Sequence, residues 1–214
     1  MLENIELLCH SCIRFNFNEI IYTDPYGLEK NYNDADYIFI THSHYDHFSK
    51  EDILKVKNEN TKIVITEDLY NKSIDIGFKQ ENILTVIPNM EYAIDNIKIK
   101  TIPAYNIEKN FHPKENNWVG YILTINNINY YIAGDTDITK ENQEVKCDVA
   151  FLPVGGTYTM DYKEAIKLAN IINPKIAVPI HYGKIVGTKK DAENFIENLN
   201  KDIKGIILYE EKNI

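Results

Sequence analysis

Thr41-His42-Ser43-His44-Tyr45-Asp46-His47-Phe48 is the densest concentration of reactive side chains in the sequence, with three of the six histidines and a carboxylate inside six residues. It follows directly on an apolar run, Tyr37-Ile38-Phe39-Ile40. On extended backbone, residues i and i+2 point to the same side, so His42 and His44 can grip one cation from a strand end. A turn after them would present Asp46 and His47 to a point slightly further on. Imidazole and carboxylate form the ligand set that zinc prefers, with manganese, iron and nickel as alternatives. A polar loop of merely solvated histidines is the competing reading. It offers no packing gain to offset the desolvation of three imidazoles and a carboxylate at a strand end.

Two later positions have matching character. Asp135, in Ala133-Gly134-Asp135-Thr136, ends a strong hairpin strand, where its carboxylate could bridge two cations and Gly134 would permit close backbone approach. His181, in Pro179-Ile180-His181-Tyr182-Gly183, leaves another apolar strand. Each has an ordinary alternative, as a turn aspartate and a structural histidine. His10 reads as a satisfied core histidine, as a hydrogen-bond partner beneath the metal ligands, or as part of the substrate-pocket lining. Cys9 and Cys12 form a C-x-x-C with no second pair beside it, and Cys147 makes the count odd, so buried thiols in a reducing cytoplasm are expected.

The elements that must position these groups read as strands at 5–8, 13–17, 20–23 and 37–41, then helices at 49–57 and 67–76 around a strand at 63–66. Ser49, three residues before Asp52, marks the first helix start. Strands follow at 84–87, 92–94 and 97–102. A hairpin pairs 119–125 with 128–133 around Asn126-Asn127, a dipeptide tolerant of positive φ. The last third alternates: strand 149–154, helix 162–172 capped by Asp161 with Glu164, strand 176–180, helix 192–199 and strand 206–209. Both halves thus run from meandering strands into βα units, with no linker between them. The expected architecture is one α/β domain over 1–214, two mixed sheets packed face to face with helices outside.

Composition narrows the function. Of 214 residues, 44% are hydrophobic and 26% charged, ordinary for a globular protein. The net charge of −9 argues against a nucleic-acid backbone or an anionic membrane as principal partner. No apolar run approaches the roughly 20 residues that span a bilayer, and the acidic start lacks the features of a signal peptide.

Taken together, His42-x-His44-x-Asp46-His47, Gly134-Asp135-Thr136 and the strand-terminal His181 resemble the metallo-β-lactamase superfamily over nearly the whole chain. His10-Ser11-Cys12, Asp24-Pro25 and Leu152-Pro153-Val154-Gly155-Gly156-Thr157-Tyr158-Thr159-Met160 are most similar to the branch of ascorbate-6-phosphate lactonase and related metal-dependent hydrolases. The resemblance implies a four-layer αβ/βα sandwich and one or two divalent ions, zinc being the first choice. It also implies a further histidine just after a Pro-Ala pair, where this chain has Pro103-Ala104-Tyr105-Asn106. Either Asn106 coordinates weakly through its amide oxygen, or His112 swings in, or the first metal is held less tightly.

Two cations sharing Asp135 would bring the pKa of a water between them down to about 7, while Asp46 orients it for attack. His112, Tyr158 and Lys184 are candidate proton donors for the leaving group. Lys109 and Lys114 could draw in an anionic substrate, or could be solvated loop charges. The expected activity is hydrolysis of a small ester, lactone or phosphoester. A nuclease-like phosphodiesterase is the alternative within enzymes. A redox or persulfide enzyme would need a further flavin or rhodanese domain, and a non-catalytic metal-binding regulatory module would need no turnover. The expected partner is a small molecule, with neither nucleic acid nor membrane, and homo-oligomerisation is left open.

Overall fold

The computed structural model describes residues 1–208, which form two compact units, one over Leu2–Val86 and one over Ile87–Leu208 together with Met1. In the N-terminal unit the strands are β1 (Ile5–Cys9), β2 (Cys12–Asn16), β3 (Ile20–Thr23), β4 (Ala35–Phe39), β5 (Lys57–Thr66) and β6 (Ile83–Val86), with helices α1 (Lys50–Val56) and α2 (Tyr70–Asp75). They form one six-stranded sheet in sequence order. β1, β2 and β3 pair antiparallel, and β3 to β6 run parallel. Ile38 and Ile40 beside Ile63 and Ile65 make a β-branched floor, and Ile53 and Val56 of α1 with Leu69 pack into the same buried cluster. Each such aliphatic side chain contributes about 1.5–3 kcal/mol on burial. Ser49 caps α1 by accepting from Asp52 N, and the Asp52 carboxylate holds the amides of Gly27 and Leu28.

The C-terminal unit repeats the plan. Its strands are β7 (Glu91–Ile94), β8 (Ile97–Pro103), β9 (Val119–Ile125), β10 (Ile128–Ile132), β11 (Val149–Pro153), β12 (Ile176–Ile180) and the two-residue β13 (Lys204–Gly205). The order is β13-β12-β11-β10-β9-β8-β7, antiparallel from β7 to β10 and parallel beyond. Asn126 and Asn127 take φ of 51° and 61°, the left-handed pair that a two-residue hairpin requires. Helix α3 (Tyr162–Ile172) starts on the Asp161/Glu164 capping box, and α4 (Lys189–Glu197) on a second box of Thr188 and Asp191.

The fold class agrees with the expected two mixed sheets carrying helices, and the differences are local. The second expected helix begins as a 3-10 turn at Glu67–Leu69 before α2. The strand expected at 63–66 extends back to Lys57 because Lys57 pairs with Ala35 beyond a register shift. α4 starts three residues earlier than expected, at its unrecognised Thr188 cap. The expected strand 206–209 is displaced to Lys204–Gly205, and Tyr209 lies outside the described residues. Among the described residues, no helix is long and apolar enough to cross a membrane.

Candidate functional site

In the N-terminal unit the chemistry gathers beyond the carboxyl ends of β3 and β4, where a parallel sheet habitually places its ligands. Backbone strain marks the place, for Asp24 adopts φ 43° and His10 φ 54°, left-handed values uncommon for such residues. Asp24 organises the histidines. One oxygen accepts from Thr41 N at 2.8 Å; the other accepts from Thr41 Oγ1 and from His47 Nδ1, both at 2.8 Å. Since the Thr41 hydroxyl gives its hydrogen to Asp24, it must accept from His42 Nδ1, 3.0 Å away. Both imidazoles therefore carry hydrogen on Nδ1 and a lone pair on Nε2.

Those Nε2 atoms face other atoms able to ligate a metal. His42 Nε2 lies 3.1 Å from His44 Nδ1, and His47 Nε2 lies 3.5 Å from Asp46 Oδ2. Asp46 Oδ2 is also 3.3 Å from the buried His10 Nε2. A lone pair directed at a carboxylate oxygen is repulsive unless positive charge lies with them. The donor set thus fits a cation, with Asp24 and Thr41 fixing the tautomers as outer-shell partners do. Sequence reasoning missed that role for both residues, although an aspartate directly after an apolar strand and before Pro25 was a usable signal.

In the C-terminal unit, Asp135 follows β10 and His181 follows β12, the latter at φ 58°. Asp135 Oδ2 stands 3.0 Å from His181 Nε2 and 3.2 Å from His112 Nε2, all three residues being buried. Gly155 makes room here, because a Cβ on it would run into His181 O and the Val186 side chain. Of the two alternatives for the missing histidine, His112 therefore joins the carboxylate. Asn106 does not offer its oxygen to a metal, since that atom accepts from His112 N and Nδ1, both at 3.0 Å.

The remaining candidates fall out as follows. Lys109 donates to Asp137 Oδ1 and Thr159 O, and Lys114 to Glu141, so both are neutralised locally rather than held out for an anion. Burial pushes the Glu141 carboxyl up, but Lys114 and Tyr105 outweigh it and hold it down at about 2. The ring of Tyr158 meets Phe111 edge-on at 4.7 Å, and Lys184 is solvent-exposed. Cys9 and Cys12 sit opposite each other where β1 turns into β2, both buried, and burial pushes the Cys12 thiol far above its usual range. That is the buried-thiol outcome, and no disulfide is present among the described residues.

With this geometry in hand, the likeness to known proteins is decisive. Residues 4–181 match the family model described as a beta-lactamase superfamily domain. The chain belongs to the metallo-β-lactamase superfamily. Within it, a UPF0173 metal-dependent hydrolase of Nanoarchaeum equitans is 29% identical over 98% of both chains. Another, from Ligilactobacillus salivarius, is 33% identical over 79% of this chain and 76% of its own. A solved metal-dependent hydrolase from Parabacteroides distasonis superposes with a TM-score of 0.79 at 29% identity, covering 95% of this chain and 91% of that one. This superfamily member is accordingly a metal-dependent hydrolase, and its clustered histidines and aspartates could hold a metal ion.

Proposed function

We propose that the enzyme hydrolyses a small ester, lactone or phosphoester in the cytoplasm, with His42, His44, Asp46, His47, Asp135 and His181 as metal ligands and His112 joining them. The observation that carries this reading is the sharing of Asp135 Oδ2 by two buried imidazole nitrogens, at 3.0 and 3.2 Å. Bound divalent cations, zinc foremost, would polarise the scissile carbonyl or phosphoryl oxygen and acidify the attacking water. The protein's part is to hold the imidazoles in the tautomer that binds. Asp46 can orient the attacking water, and the Tyr158 hydroxyl is the candidate donor to the leaving group. His112 suits the ligand role better than a proton-donor role, because its Nδ1 hydrogen is engaged by Asn106. The burial of all the proposed ligands but His44 and the chain's negative charge favour a small molecule over a polynucleotide.

His44→Ala tests the reading, since it should strip most bound metal and activity while leaving the circular-dichroism spectrum almost intact. Metal content unchanged from wild type would contradict the assignment. A panel of chromogenic esters, lactones and phosphodiesters on the metal-loaded enzyme would name the substrate class. Turnover confined to phosphodiesters would favour the nuclease-like alternative, and tight metal binding without turnover would favour a regulatory module.

A further inference from the structure

Asn106 occupies the position at which a metal-binding histidine was expected, and all the hydrogen bonds described for its side chain serve another purpose. Its amide nitrogen donates to Asp137 Oδ1 at 3.2 Å and to Tyr158 O at 2.9 Å. Both partners are acceptors, so the amide can point only one way. Its oxygen is thereby turned toward His112, accepting from the backbone N and from ring Nδ1. The loop closes on itself through Asn106 N donating to His112 O at 2.8 Å. Asp137 is itself immobilised, accepting from Ile107 N and Lys109 Nζ while its own amide donates to Tyr105 O. Trp118 meets the His112 ring edge-on at 5.7 Å and limits its rotation.

We infer that Asn106 is a positioning residue: it fixes His112 as the Nδ1–H tautomer, so that Nε2 presents its lone pair beside Asp135 Oδ2 to the cation. The inference rests on the reading that His112 and Asp135 bind metal. It assigns the Asn106 amide, braced by Asp137 and the Tyr158 carbonyl, the task that Asp24 performs for His47. Without it, the neutral ring would do better to place its hydrogen on Nε2 and donate to the Asp135 carboxylate, blocking the atom that must bind.

The test uses the full chain labelled with 15N-histidine, together with zinc affinity measured against a chromophoric chelator. In metal-free wild type at alkaline pH, His112 should show the Nδ1–H signature, and added zinc should shift its Nε2 resonance. Asn106→Ala should convert it to the Nε2–H form and weaken zinc binding by about 10–100-fold. Asn106→Ser, whose hydroxyl can accept from Nδ1 while donating to Asp137 or to the Tyr158 carbonyl, should retain the wild-type tautomer and so rescue the signature if the alanine variant folds poorly. An unchanged tautomer and unchanged affinity in Asn106→Ala, with wild-type His112 responding to zinc, would overturn this inference alone. A wild-type His112 whose Nε2 ignores zinc would overturn the metal reading, and this inference with it.

Discussion

At the scale of single residues, the candidate site depends on groups that hold its histidines in place. Asp24 takes hydrogen bonds from Thr41 N, Thr41 Oγ1 and His47 Nδ1, all inside a fully buried pocket of the N-terminal unit. Asp24→Ala should therefore be costly in two ways. Each buried donor left without its acceptor costs about 1–3 kcal/mol, and chemical denaturation should register the loss. Metal affinity should also fall by about 10–100-fold as His42 and His47 lose their fixed tautomers, which a zinc titration checks. Wild-type affinity in that variant would show that the tautomers are set elsewhere. The cluster of histidines with Asp46 at 42–47 was legible in the sequence because its members are neighbours on one short stretch. Asp24 was not, because its partners lie 17 and 23 residues away and meet it only through β3–β4 pairing.

At the scale of elements, the loop between β8 and β9 is tied down by ionic anchors. Lys114 and Tyr105 both bond Glu141, and the Lys114 ammonium also lies 4.4 Å from the centre of the Tyr105 ring. Because Glu141 is depressed to about 2 in the folded chain, the unfolded chain binds its proton more readily. Its stabilising contribution is complete above the ordinary carboxyl value of 4.5 and disappears as pH falls toward 2. Glu141→Gln should thus melt below wild type at neutral pH, and the two melting temperatures should converge on acidification through that window. A gap independent of pH would place the effect elsewhere. The capping boxes tell the same story about legibility. Asp161 with Glu164 was readable, whereas Thr188 with Asp191 was overlooked because Lys189 and Lys190 hid the start of an apolar face.

At the scale of the whole molecule, metal and fold are linked. Within each unit the candidate ligands are brought close together in the folded state and are scattered in the unfolded chain, so an ion bound there would stabilise the native protein by mass action. At free zinc 100 times the dissociation constant this amounts to about 2.7 kcal/mol. For a chain of this size that is a rise of about 5–10 °C in Tm. Dialysis against a chelator should reverse the rise and zinc should restore it, followed by calorimetry. A Tm indifferent to zinc would mean that the histidines do not hold it in the native state.

The sequence alone determined what depends on neighbours along the chain. The antiparallel-to-parallel plan of each unit follows from hydrophobic alternation and turn residues, and the His42–His47 cluster, Asp135 and His181 announce themselves at the ends of apolar strands. Tertiary structure decided which of Asn106 and His112 stands beside the carboxylate. It also turned Lys109 and Lys114 from free charges into anchors. Those outcomes hinge on where Asp137, Glu141 and the Tyr158 carbonyl arrive once strands far apart in sequence are hydrogen-bonded together. A side chain's partner is a matter of distance in space, and local pattern fixes that distance only within an element.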